Sequence, residues 1–348
     1  MRPSCTRFPV FVWLVLALLL ATSTHASAAA RPGFHLIRSA VLGGEGGWDY
    51  LTFDEVGHCL FISRSTHVMV VDADSLTVIG DIPNTPGVHG IALVSDAGRG
   101  FTSNGRDTSV TVFDLTSLRE SGRVRVGLRP DAITYDPASK RVFTMNGGSN
   151  DASAIDPVAG TVIGTIPLGG RPEEAVCDGA GLMYVNLEDA SQVVTVDTRT
   201  MKVIGRWSLA PGAEPTGIAL DAAHGLLFSS CGNNMMVVSD VKRGVVVTTL
   251  PIGSRVDGMG FDPASGLAFS SNGEGTLTVV REVSPTSFKL VANVPTAIGA
   301  RTLAFDRRGQ RLFLITATFG PAPAATAEQP RPRPPVIPGS FQLMVFGE

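Results

Sequence analysis

The sequence predicts an all-β fold, a seven-bladed β-propeller with four-stranded antiparallel blades and a last blade closed by the N-terminal strand. Three observations carry that expectation. A repeat of about 42 residues recurs from Gly47 almost to the C-terminus, each unit holds four short strands rich in β-branched residues, and two incomplete ends complete each other.

Seven segments align on an apolar residue followed by a polar one at the end of a first strand. They are Phe53-Asp54, Val94-Ser95, Tyr135-Asp136, Cys177-Asp178, Leu220-Asp221, Phe261-Asp262 and Phe305-Asp306, spaced 41, 41, 42, 43, 41 and 44 residues apart. A short turn follows each, often with Gly, as in Asp262-Pro263-Ala264-Ser265-Gly266. Next comes a second strand with an aromatic near its middle: Phe61, Phe101, Phe143, Tyr184, Phe228, Phe269 and Phe313. A third strand alternates and tends to end in Asp, as in residues 110–114 and 192–197, and a fourth follows a further turn, as in residues 161–169.

The ends supply a separate argument. The last unit has its first strands at residues 301–306 and 311–316 and a third at 341–346, then stops. Residues 34–43 precede the first unit and read like a fourth strand. Placed in the last blade, they close the ring and remove a pair of exposed sheet edges.

Charged residues make up only 17%, and Gly (39) and Pro (23) are abundant, which suits a turn-rich globular chain rather than a disordered one. Residues 1–30 read as a cleaved signal peptide. Arg2 and Arg7 precede an apolar run at residues 10–21, and Ala26-Ser27-Ala28 matches a signal-peptidase site. The alternative is an uncleaved N-terminal anchor. With cleavage, residues 31–348 form a single propeller domain that is periplasmic or secreted, with no membrane span. Loss of the two arginines takes the formal charge from -3 to -5, so no basic surplus favours nucleic acid. Three cysteines remain, Cys59, Cys177 and Cys231. An odd number at irregular spacing predicts small buried hydrophobes rather than a disulfide framework or a zinc set.

Second strands such as Phe101-Thr102-Ser103-Asn104, Phe143-Thr144-Met145-Asn146 and Phe269-Ser270-Ser271-Asn272, followed by V-x-V-x-D third strands, resemble those of the bacterial YVTN-repeat propellers. From about Trp48 to the end, the chain is similar to YncE-like exported proteins. Arg64 and Cys231 depart from the Asn, and Ser239 and Arg281 from the third-strand Asp. If those Asn and Asp residues only stabilise turns, the departures cost little. If they form a site, blades one, five and six stand outside it.

In a propeller the first strand of each blade lines the central channel. Counting five positions back from the polar landmark residues puts Asp49, Gly90, Asp131, Glu173, Thr216, Asp257 and Arg301 at one mouth, with His89, Glu174 and Glu214 close by. The candidate ligand-binding residues are therefore Asp49, His89, Asp131, Glu173, Asp257 and Arg301. Crowded carboxylates need a shared cation, a proton or an arginine. One reading is a divalent cation such as Ca²⁺ held by Asp49, Asp131, Glu173 and Asp257. Another is a small polar ligand or a protein partner met by donors from Arg301 and His89. A third, which related propeller enzymes imply, is a metal-dependent hydrolase or lactonase. The plainest is a set of strand-start residues lining a wet channel. No residue is assigned a catalytic role, because no G-x-S-x-G, H-E-x-x-H, P-loop or C-x-x-C-H occurs.

His67 and the Glu188-Asp189 pair fall on the same face by register. So does the proline-rich insertion 317–339, which favours extended conformations, is not expected to join a sheet ladder, and is a candidate flap over the mouth. The expected function is that of an extracytoplasmic binding or scaffold propeller acting through the mouth.

Overall fold

Six repeat units have four β-rich runs joined by turns, and each folds as one antiparallel sheet; the last unit has three. In blade one the strands are Leu51–Asp54, Cys59–Ser63, Val68–Asp72 and Val78–Ile82, paired in sequence order, and six further four-stranded sheets follow. The structure is a computed structural model and describes residues 33–324, 326 and 332–348. The expected signal peptide, and Pro330 and Arg331 of the insertion, lie outside the described residues. Among the described residues, one 3-10 turn at Ser95–Ala97 accompanies the strands, and no helix is long and apolar enough to cross a membrane.

The seventh sheet closes as the end-pairing argument predicts. Leu303–Asp306, Arg311–Thr316 and Gln342–Gly347 are joined by His35–Val41 as the outer strand, antiparallel to Gln342–Gly347, with His35 opposite Gly347 and Val41 opposite Gln342. The core lies between sheets. The second-strand aromatics Phe61, Phe101, Phe143, Tyr184, Phe228, Phe269 and Phe313 are at most 3% exposed. Burying each is worth about 1.5–3 kcal/mol. Phe53 stacks on Phe313 across the closure, with centroids 5.7 Å apart.

The recurrent Asp residues are turn formers. The carboxylates of Asp136, Asp178, Asp221, Asp262 and Asp306 accept backbone N–H bonds from residues two and three positions on, and Asp54 accepts one from Val56. In blade five that role at the end of the third strand belongs to Asp240, which accepts from Lys242 and Arg243. Ser239 is therefore not a substitution for the Asp, whereas Arg281 of blade six is one.

The Asn residues do more than mark Asn-Gly turns. Asn104, Asn146 and Asn272 are fully buried; each accepts from a hydroxyl two residues back and donates to two side-chain oxygens in or just before the third strand. Arg64, at the same place in blade one, is 1% exposed. Its guanidinium donates to the carbonyls of Gly43 (3.0 Å) and Gly46 (3.1 Å) and lies 3.7 Å from the centre of the Phe341 ring. This departure from the repeat ties the segment between the closing strand and blade one to blade seven.

The insertion departs from expectation at its base. Phe319 and Val336 form an antiparallel bridge, with Gly320 N donating to Pro335 O and Ile337 N to Thr318 O, both at 2.8 Å. Proline lacks a donor but keeps its carbonyl, so pairing survives where Gly and Ile supply the N–H groups. The three cysteines are free, with Cys59 and Cys231 buried and Cys177 half-buried.

Candidate functional site

The seven mouth residues follow from strand register. The residue opposite each second-strand aromatic is Thr52, Ala92, Thr134, Val176, Ala219, Gly260 or Ala304. Three positions earlier lie Asp49, His89, Asp131, Glu173, Thr216, Asp257 and Arg301. In blade two the ring position thus belongs to His89, not Gly90. Val94 occupies the place of Asp136, and the Val94-Ser95 landmark sits one residue late.

Local backbone aims these side chains inward. In blades two to six the pairing register slips at or beside the ring residue, as between Val88 and Ile91 or Pro130 and Ile133. Such a bulge frees the ring residue from the ladder and redirects its side chain. Two positions before the ring, Gly87, Arg129, Glu214, Arg255 and Gly299 hold left-handed φ values of 51–86°. One position after it, Gly217 packs against the neighbouring first strand; a Cβ there would lie 2.8 Å from backbone atoms of Asp257, Gly258 and Met259.

Side chains of the same blade (Ser63) and of neighbouring blades (the others) clamp the ring backbone. Ser63 Oγ accepts from Asp49 N (3.0 Å), and Thr302 Oγ1 donates to Asp49 O (2.6 Å). Ser103 Oγ donates to Asp131 O, Asn186 Nδ2 to Thr216 O, and Ser271 Oγ to Arg301 O. Sequence reasoning missed these contacts, and all but that of Thr302 share one signal. Their signal was the residue two positions after the strand-two aromatic, which is Ser63, Ser103, Asn186, Ser230 or Ser271 in five blades.

The side chains form a chain of charges. His89 Nδ1 lies 2.6 Å from Asp49 Oδ2 and 3.5 Å from Asp131 Oδ1. Arg301 spans Asp49 (Nη2 to Oδ1, 3.0 Å) and Asp257 (Nε to Oδ2, 2.8 Å). Burial pushes the Asp49 carboxyl up, but the His89 hydrogen bond and the Arg301 charge outweigh it and hold Asp49 below the usual range. Burial raises Asp257 to about 7 against the pull of Arg301, and Asp131 to about 6 against that of His89. Glu173, buried beside the charges of Asp131, Asp257 and Glu188, rises to about 9. Burial opposes protonation of His89, and Asp49 and Asp131 overcome it, so its imidazole is more basic than usual. Below the ring, the Glu174 carboxylate accepts from Ile218 N at 2.9 Å, and burial raises its pKa well above normal.

Of the six candidates, the structure brings potential ligand atoms of Asp49, His89 and Asp131 within 4.8 Å of one another. Glu173 and Asp257 are not part of that group, so the four carboxylates expected to hold Ca²⁺ do not converge, and Arg301 supplies positive charge beside Asp49 and Asp257 instead. Glu188 pairs with Arg171 at 2.7 Å, and Asp189 accepts from Arg171 N at 2.8 Å. His67 lies 3.7 Å from Asp81.

Beside this ring a cleft of about 590 Å³ opens toward the insertion. Its walls include Trp48 and Phe319, whose rings are 6.0 Å apart, with Val336 and Pro334. Arg255, Arg301, Arg333 and Asp257 supply its charge, three cations against one anion. Trp48, Arg255 and Phe319 carried no repeat signal as site residues; only closure of the ring beside the insertion assembles them.

Among solved structures the chain is similar to Kuenenia stuttgartiensis hydrazine synthase, with TM-score 0.70 and 18% identity over 79% of this chain and 94% of that one. It is also similar to a chain of a mitotic checkpoint complex, with TM-score 0.74 and 15% identity over 97% of this chain and 99% of that one. No protein-family model and no curated protein matches the sequence. At such identities the likeness shows the fold alone, and that fold is the seven-bladed β-propeller.

Proposed function

We propose that this chain is an exported, extracytoplasmic binding propeller of the YVTN-repeat type, which takes a small anionic ligand with an apolar body at its channel mouth. The cleft between the ring and the insertion carries this reading: two aromatic walls, a net positive rim and a volume of about 590 Å³ match such a ligand. Arg301 is already engaged by Asp49 and Asp257, whereas Arg255 and Arg333 enter no ion pair among the described residues and are the donors left for an anion. The signal-like N-terminus supports export.

Trp48 makes the proposal measurable. In a Trp13→Phe, Trp207→Phe background, which leaves Trp48 as the single tryptophan, benzoate and phthalate serve as probes of tryptophan emission. Saturable quenching is expected, weakened about tenfold or more by Arg255→Ala or Arg333→Ala. Deleting residues 321–335 is expected to weaken it while leaving the melting temperature nearly unchanged. No saturable change with either probe, or quenching indifferent to both arginine variants, sinks the reading.

A metal-dependent hydrolase or lactonase is the second reading, favoured by the approach of Asp49, His89 and Asp131. It ranks second because Arg301, 3.0 Å from Asp49, contributes positive charge where the cation would bind.

A further inference from the structure

At the ends of the first strands remote from the ring, blades five and six bring a second charged cluster together. Asp221, the turn-forming Asp of blade five, has a side chain only 4% exposed; so has Glu282, in the third strand Thr276–Ser284 of blade six. His224 Nδ1 lies 2.6 Å from Asp221 Oδ2 and 2.7 Å from Glu282 Oε1.

The repeat shows what is unusual here. Thr198 of blade four occupies the same register as Glu282, one residue past the partner of the second strand's first position. Its hydroxyl donates to Asp136 of the preceding blade at 2.6 Å. In blade six a carboxylate stands where that donor stood. Nδ1 has one proton or one lone pair, and its hydrogen bond is made to Asp221. Both oxygens of Glu282 are buried and make no hydrogen bond, although they face the cluster. No Lys or Arg pairs with Asp221 or Glu282 among the described residues. Two buried carboxylates are costly, and among the described residues the half-exposed imidazole of His224, through its single Nδ1, is the one group near both that can carry positive charge.

We propose that Asp221, His224 and Glu282 form a site for a divalent first-row transition ion, such as Mn²⁺ or Zn²⁺. One imidazole and two carboxylates are a donor set for such ions, whereas Ca²⁺ and Mg²⁺ prefer oxygen alone. Separations of 2.6 and 2.7 Å between His224 Nδ1 and the two carboxylate oxygens suit one face of an octahedral shell, after a small expansion to admit metal bonds of about 2.0–2.2 Å. The His224 side chain is 52% exposed, which leaves the opposite face open to water. The ion ties a hairpin turn of blade five to the third strand of blade six.

The test uses the purified, chelator-stripped protein titrated with MnCl₂ and with ZnCl₂ by calorimetry, with thermal melts alongside. One saturable equivalent that raises the melting temperature is expected. Glu282→Gln and His224→Ala each weaken it at least about tenfold, and Asp49→Asn leaves it unchanged. If Glu282→Gln fails to fold, His224→Ala, which removes a largely exposed ring, decides alone. Absence of saturable binding overturns the proposal. So does binding that survives His224→Ala, or that Asp49→Asn abolishes, since the ion then sits elsewhere.

Discussion

Where blade seven meets blade one, charge is paired across the closure. Arg301 reaches Asp49 at 3.0 Å, Arg311 reaches Asp74 at 2.9 Å, and Arg64 holds two carbonyls before the first blade. Across the ring, in blade four, Glu173 is buried beside three other carboxylates and enters no ion pair among the described residues. The same ring position is thus an ion pair on one side and a proton store on the other. Consecutive blades are joined by a continuous chain with interleaved hydroxyl clamps. The closure joins two distant parts of the sequence; it shares the hydroxyl clamp, Thr302 to Asp49, and adds the Arg301–Asp49 and Arg311–Asp74 pairs.

The sharpest way to break this contrast is to remove the clamp. Arg301→Met leaves Asp257 without its ion-pair partner and Asp49 with His89 alone, and is expected to cost about 3 kcal/mol in denaturant unfolding at pH 8. Asp49 has a depressed folded pKa, so its pairing contributes stability above its unfolded pKa that is lost as pH falls through the folded value. The penalty of Arg301→Met should therefore shrink in acid. A loss under about 1 kcal/mol at pH 8 would show that the closure does not depend on this pair.

Next in size is Arg64→Ala, expected to cost about 2 kcal/mol by orphaning the Gly43 and Gly46 carbonyls and removing the contact with Phe341. Arg64→Lys should rescue only part, because an ammonium lacks the fork that reaches both carbonyls.

The smallest effect has the opposite sign. Glu173 has a raised folded pKa, so its contribution is present below the unfolded value and is lost as pH rises toward about 9. Glu173→Gln should leave the melting temperature at pH 4.5 unchanged and raise stability at pH 8 by about 1 kcal/mol, the shift being discounted because the side chain faces a water-accessible channel. A melting temperature at pH 8 equal to that of the parent protein would erase the contrast between the two arcs.

How far the sequence can be read follows from the same physics. A blade's alternation, turn Asp and strand-two aromatic are local; the aromatic recurs in all seven units and the first-strand turn Asp in six, with Val94 in its place in blade two. The ring positions were therefore legible to within one residue; the single slip, Gly90 for His89, arose where the 3-10 turn at Ser95–Ala97 hides the register. The Asn network and the Arg64 bridge were legible as residues but not as roles, since each depends on a partner in another strand or blade.

The sequence by itself determined seven four-stranded blades, closure by the strand near His35, and one mouth bearing Asp49, Asp131, Glu173, Asp257 and Arg301. Short-range periodicity and two complementary ends are properties of the chain read in order. Only the tertiary structure decided that Arg301 clamps Asp49 and Asp257, that Trp48 and Phe319 wall a cleft with Arg255 and Arg333, and that Glu282 confronts Asp221. Those contacts join residues tens to hundreds of positions apart. Their distances and burial are set by how the blades pack around the ring, which no local pattern encodes.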